Sequence, residues 1–421
     1  MVRIAVVNWS RRRVGGVETY LDGVIPEMHR RGLSPAFWSE VDVPANREQI
    51  GLPEGVPAWC ASELGTDKAL AALRDWKPNL IYVHKIDRPA IEAKLLKIAP
   101  AVFFAHDYYG TCISGAKTFK NPIVMPCNRR FGWQCLLHYF PHRCGGWSPL
   151  TMLKLYRLQS KRLRMLHKYR AIVTHSDHLQ AEYINHGLDA SHVYNLSYYA
   201  HTADKELQRS DVLSSLPNSI VGNNSSYLEE TKPYFRLLFV GRMDLLKGGR
   251  IFLESLPRVK AQLGLPLRVT FAGDGPDRQA WERQAARVQA ENEGLSIEFI
   301  GWANATRLNS LWATCDLLVV PSLWPEPFGL VGVEAGLHKV PVAAFSVGGI
   351  PTWLINGVNG YLAPGNPPTP AGLTEAIVKC LKDPVIHTHL RHGALTIAQR
   401  FNINNHMIAL LDIFNQVMVS N

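Results

Sequence analysis

The stretch from Pro321 to Ala335, Pro-Ser-Leu-Trp-Pro-Glu-Pro-Phe-Gly-Leu-Val-Gly-Val-Glu-Ala, constrains this 421-residue chain more than any other. Ahead of it, Asp316–Val320 is an acid-led apolar run that reads as a buried strand. Behind it, Leu330–Leu337 has helical spacing. Pro325 and Pro327 keep the backbone between them out of the helical region. The pattern predicts strand, stiff loop and helix, with the leading amides at Phe328, Gly329 and Leu330 aimed over a sheet edge. Such an end attracts anions, because its donors are unpaired and the helix dipole is positive there. Glu326 precedes that end and Glu334 lies inside it, so carboxylates flank the anion position. A ligand carrying hydroxyls at both ends and phosphate between them, a nucleotide sugar, suits this arrangement.

A second motif follows the strand-like run Phe235–Val240: Gly241-Arg242-Met243-Asp244-Leu245-Leu246-Lys247-Gly248-Gly249. A guanidinium and an ammonium five residues apart, between a strand and a helix, suit a diphosphate, the first as a planar fork and the second as a point charge. No Gly-x-x-x-x-Gly-Lys-Ser/Thr run occurs in the chain, so triphosphate hydrolysis is not indicated.

Two glutamates seven residues apart around Pro-Phe-Gly-Leu, together with the Arg242/Lys247 motif, resemble the signature of retaining GT-B glycosyltransferases of family 4. The resemblance implies an α/β chain of two Rossmann-like doubly wound parallel sheets facing a central cleft, with a C-terminal helix crossing back to the first domain. It implies that Arg242 and Lys247 neutralise the departing diphosphate without a metal ion, that Glu326 holds sugar hydroxyls, and that Glu334 holds the ribose. The strand ends at Gly273 and at Gly301-Trp302-Ala303 would lie under the nucleotide. Trp302 is then a candidate to stack on the base, with core packing the equal alternative. Gly15-Gly16, after the first strand, is similar to the family's glycine loop facing the donor phosphate. His106, at a carboxyl strand end, matches a histidine that contacts the donor sugar. The reaction implied transfers a sugar from a nucleotide-diphosphate sugar, UDP- or GDP-linked, to a saccharide or lipid-linked acceptor.

Length favours two domains. The expected division is an acceptor-binding domain over 1–203, a linker over 204–232 where Ser, Asn, Asp and Gly dominate, a donor-binding domain over 233–400, and a returning helix over 401–421. The net charge of +10 lies wholly in the first half: residues 1–203 hold 26 Lys+Arg against 16 Asp+Glu, and the remainder 19 against 19. Such a field favours anionic partners. Arg11-Arg12-Arg13 reads as a solvated loop or as a steering patch for an anionic acceptor. The basic run Pro149–Arg170 reads as an amphipathic helix packed on its own sheet, with peripheral membrane contact as an added expectation. No apolar run approaches the ~20 residues of a membrane span, and the opening Met-Val-Arg-Ile-Ala-Val-Val reads as a strand rather than a signal peptide. A cytoplasmic protein, peripheral at most to the inner membrane face, is expected.

Residues 111–150 interrupt the alternation with Cys112, Cys127, Cys135 and Cys144. Their spacing matches no zinc knuckle, so structural zinc, free thiols and disulfides all stay open, while no cofactor is expected for catalysis. Two rival functions remain: a nucleotide-sugar epimerase on the same fold, and a basic nucleic-acid-binding protein. For the second no helix-turn-helix or aromatic RNA-binding signature is present, and no nucleic-acid partner is expected.

Overall fold

Seven short strands build the first sheet of the computed structural model, which describes residues 1–200 and 234–419. They are β1 (Arg3–Ser10), β2 (Ser34–Val41), β3 (Ala58–Cys60), β4 (Leu80–Val83), β5 (Ala101–Phe104), β8 (Ala171–Thr174) and β9 (Val193–Asn195); β6 (Thr118–Phe119) and β7 (Met125–Pro126) are two-residue strands outside it. The order is β3-β2-β1-β4-β5-β8-β9, and every pairing is parallel. Ile4, Ala5, Val6 and Val7 are all fully buried, as a central parallel strand covered on both faces requires.

The second sheet joins β10 (Phe235–Val240), β11 (Leu267–Ala272), β12 (Leu295–Gly301), β13 (Leu317–Val320), β14 (Val342–Phe345) and β15 (Gly360–Ala363) in the order β12-β11-β10-β13-β14-β15, again all parallel. In each sheet the strand order reverses once, between β1 and β4 and between β10 and β13. The loops leaving the carboxyl ends of such a strand pair diverge to opposite faces and open a crevice for ligands.

The chain divides into two units, the first holding Met1–Pro122, Cys127–Tyr198 and the segment from Ile403, the second Ile123–Pro126 and the described residues between Tyr199 and Asn402. The last helix, Ile403–Val419, therefore belongs to the first unit although it follows the second in sequence. Its Met407, Leu410, Ile413, Phe414 and Val417 recur on one face and are all buried. Phe414 packs edge-on against Tyr82 at 5.0 Å, and His406 Nε2 lies 2.8 Å from Tyr20 OH. At about 1.5–3 kcal/mol for each large apolar side chain buried, this stripe is ample reason for the return. The expected linker, 204–232, lies outside the described residues.

Asn356-Gly357 is a dipeptide that often turns a hairpin, but Gly360–Ala363 pairs parallel to β14. The turn does form, with Gly357 at φ 74° and Asn356 Oδ1 accepting from the Leu362 amide at 2.7 Å, yet the strand that follows crosses over instead of doubling back.

Candidate functional site

The two motifs of the second unit meet where its strand order reverses. After β10 the chain forms a single 3₁₀ turn, Leu245–Lys247, capped by Asp244, whose carboxylate accepts from the Leu246 and Lys247 amides. Gly248 then takes φ 70°, and a Cβ there would stand 1.8 Å from the Pro321 carbonyl oxygen. Only glycine allows this approach of the loop after β10 to the loop after β13. A backbone bond from the Leu323 amide to the Leu246 carbonyl, 2.7 Å, ties the same two loops.

That contact sets Lys247 Nζ 2.5 Å from Glu326 Oε1. Glu326 is 5% exposed and also accepts from Ser322 Oγ at 2.6 Å. The Lys247 ammonium also sits 5.5 Å from the Trp324 ring centre. Behind Glu326, the turn after β14 presses in: the Gly349 amide donates to the Glu326 carbonyl at 2.6 Å, and a Cβ on Gly348 would meet that carbonyl oxygen at 2.2 Å. The glutamate is thus held from both sides by glycine-dependent packing.

Arg242 points outward, with 72% of its side chain exposed and its Nε 3.6 Å from Asp244. Gly329 is the N-cap of the helix Leu330–Leu337 at φ 83°, leaving that helix's leading amides outside the i→i−4 ladder. Glu334, half-buried on this helix, has no hydrogen bond or ion pair among the described residues, and burial raises its carboxyl pKa. Gly241 and Gly273 lie side by side at the ends of β10 and β11, with the Gly241 amide bonded to Ala272 and the Gly273 amide to Gly301. Trp302 is 79% exposed, which rules out the core-packing alternative; Ala303 follows it, half-buried.

In the first unit His106 follows β5. Its Nε2 is 2.7 Å from His84 Nδ1, and its Nδ1 bonds to the Tyr198 hydroxyl. Burial pulls the pKa of His106 well below the ordinary value and that of His84 down to about 3, so both rings are neutral. Sequence reasoning missed His84 and Tyr198, which are 22 and 92 residues away from His106. It also missed Glu18: the Gly15 amide is already bonded to Glu18 Oε2 at 2.9 Å, and Asn8 Nδ2 holds the other carboxylate oxygen at 2.9 Å. Gly15 therefore has a carboxylate on the amide that was expected to face phosphate, while Gly16 beside it is exposed.

The triple arginine is tied down by acids: Arg11 and Arg12 share Asp42, Arg11 also reaches Glu63 at 2.5 Å, and Arg13, itself exposed, pairs with Asp22. The two guanidiniums hold the Asp42 carboxyl well below its usual range. The charges are spent on fixing the loop after β1.

Cys112, Cys127, Cys135 and Cys144 are all free thiols, and all line one small cavity of ≈30 Å³ within the first unit. Burial pushes the Cys127 thiol up to about 11 and the Cys144 thiol up to about 12. Among the described residues no three His, Cys, Asp or Glu side chains stand as a ready-made metal cage.

Comparison with known proteins fits this geometry. The chain matches HepE of Anabaena, solved with UDP and glucose, at a TM-score of 0.63 and 19% identity, with 99% of this chain and 100% of that one covered. Sucrose-phosphate synthase from Thermosynechococcus elongatus matches at 0.61 and 18% identity, with 100% of both chains covered. The fold is that of the GT-B glycosyltransferases. Residues 234–383 match the family model described as glycosyl transferases group 1. Among curated relatives, a D-inositol 3-phosphate glycosyltransferase of Catenulispora acidiphila is 33% identical over 189 residues, 44% of each chain. A glycogen synthase of Mycobacterium tuberculosis is 35% identical over 149 residues, 35% of this chain and 34% of the relative. The chain thus spans less than half the length of the curated relatives it matches.

Proposed function

We propose that the protein is a retaining glycosyltransferase of the family 4 type, which moves a sugar from a nucleotide-diphosphate sugar to a saccharide or lipid-linked acceptor. The observation that carries this reading is the Lys247–Glu326 pair at the strand-order reversal of a group 1 domain. In this reading Lys247 and the exposed Arg242 take up the charge that develops on the leaving diphosphate, a role that otherwise falls to a divalent cation. The N-terminus of helix Leu330–Leu337 adds its dipole at Phe328, Gly329 and Leu330. Glu326, already turned to Lys247, positions sugar hydroxyls, the unpartnered carboxylate of Glu334 takes the ribose, and Trp302 stacks on the base. No side chain is assigned as a nucleophile on the sugar. The acceptor attacks from the face the diphosphate leaves, and a donor phosphate oxygen accepts its proton. The sugar contact of His106 rests on the family resemblance.

The acceptor reading draws on the first unit. A groove of ≈1060 Å³ there combines Arg88, Lys154, Lys161 and Lys168 with Leu150 and Leu153, and Leu150 is 79% exposed. Exposed apolar side chains set among cations suit the anionic head region of a lipid-linked acceptor or its membrane. No helix among the described residues is long and apolar enough to cross a membrane.

A panel of UDP-, GDP- and ADP-sugars tests the reading by thermal shift and by release of free nucleotide. One donor should raise the melting temperature, since ligand at a hundred times its Kd adds about 2.7 kcal/mol, and nucleotide should appear only when acceptor is present. A protein indifferent to every donor, or one that converts a donor without acceptor as an epimerase would, overturns it.

A further inference from the structure

The segment Thr111–Ser148 is poorly equipped to hold itself together. It contains only two two-residue strands and the five-residue helix Gln134–His138. Its own core is three buried residues, Ile113, Tyr139 and Cys144, with Phe119, Phe131 and a few other half-buried neighbours around them. A core this small does not offset the ordering entropy of so long an irregular segment, and such segments are ordinarily stapled by disulfides or a metal. All four cysteines of the segment face one cavity, and none is in a disulfide.

Three further features describe what that cavity suits. Its ≈30 Å³ is about the room of one water molecule, enough for a single ion and too little for an iron–sulfur cluster with its own sulfides. Backbone amides already point at sulfur: the Lys117 amide donates to Cys112 Sγ at 3.2 Å, and the Arg129 amide to Cys127 Sγ. Such donors stabilise thiolate over thiol. The segment also carries Lys117, Lys120, Arg129, Arg130 and Arg143 and no acidic residue. Lys117 is paired with Glu182, but the other four have no acidic partner among the described residues. A surplus of cations around four thiols is the setting a dianionic tetrathiolate complex needs.

From this juxtaposition we infer that Cys112, Cys127, Cys135 and Cys144 form a structural tetrathiolate site for one Zn²⁺. Four neutral thiols and one Zn²⁺ give a complex of charge −2 and four released protons. No electron is transferred and no co-reactant is needed. The four sulfurs do not yet stand around a common point, and the site requires rotation about the Cα–Cβ bonds to bring them inward. His138 also lines the cavity but is the spare donor, because the four thiols complete a tetrahedral shell.

The test uses the full chain, purified under reducing conditions and reconstituted with Zn²⁺ alone. Elemental analysis after desalting should find one zinc per chain, and Co²⁺ in its place should give the intense ligand-field and sulfur charge-transfer bands of a tetrahedral tetrathiolate. Cys112→Ser and Cys144→Ser should each weaken zinc retention by more than 100-fold, whereas His138→Ala and Cys60→Ser should leave it unchanged. If the serine variants do not fold, proton release from the wild type decides: near four protons per zinc supports the site, and two or fewer overturns it. Disulfides among these four cysteines, iron with acid-labile sulfide, full zinc retention by Cys144→Ser, or no zinc uptake at all would each overturn it as well.

Discussion

Lys247 Nζ and Glu326 Oε1 stand 2.5 Å apart although 79 residues separate them in sequence. The pair joins the two motifs into one device, because each charge is the other's partner before any ligand arrives. A Lys247→Ala change removes the cation and also strands a carboxylate that is 5% exposed, with Ser322 as its remaining hydrogen-bond donor. Stability should fall by about 1–3 kcal/mol, and turnover by about 100- to 1,000-fold as for loss of an oxyanion donor. Urea unfolding and single-turnover assays separate the two effects. Near-normal turnover in Lys247→Ala would remove the leaving-group role. In a double-mutant cycle Lys247→Ala and Glu326→Gln should be strongly non-additive.

Gly248→Ala tests whether the approach of the two loops matters. A Cβ would stand 1.8 Å from the Pro321 oxygen at a residue whose φ is 70°, so the loop after β10 must withdraw. More than about 1 kcal/mol of stability should be lost, and the donor-induced thermal shift with it. An unchanged shift would show that Lys247 does not depend on this packing.

Trp302 offers a cleaner separation of stability from binding. At 79% exposed its removal should change stability by less than about 0.5 kcal/mol. If it stacks on the base, Trp302→Ala should weaken nucleotide affinity by about 1–3 kcal/mol, measured by titration calorimetry. Equal affinity in the variant would move the base elsewhere.

Histidine burial gives the first unit an acid limit. Burial lowers the pKa of His84 to about 3, of His406 to about 4, and that of His106 well below the ordinary value. In the unfolded chain all three protonate near pH 6.5, and in the folded chain they do not. Their neutral forms therefore support the fold fully above about pH 6.5, and the support drains as pH falls from there toward 4, at up to about 1.4 kcal/mol per pH unit for each histidine. Urea midpoints measured from pH 7 to 4 should show this slope, and His406→Gln should reduce it. A flat profile would mean that these rings charge within the native state.

How much was legible in the sequence differs by element. The helix Leu330–Leu337 was readable to the residue, because two prolines and a glycine mark its start locally. Around Gly357 the sequence marks a turn but not its sequel, since an Asn-Gly turn governs only its own few residues and cannot say which strand the next segment joins. The partners of the arginine run lay out of local reach for the same reason: Asp42, which pairs with two of the three, lies some thirty residues on. His106 was placed by its strand end, but its partners His84 and Tyr198 come from other strands' ends and loops.

Local spacing alone thus determined which segments form strands and helices, where chemistry-bearing residues sit along them, and that two sheets of parallel strands result. Those features depend on backbone geometry within a few residues and on an apolar pattern that any parallel sheet imposes. Tertiary structure decided the rest: that Lys247 faces Glu326, that the last helix returns to the first unit, and that four scattered thiols share one cavity. Each is a meeting of side chains brought together by strand order, and strand order is set by the packing of the whole unit.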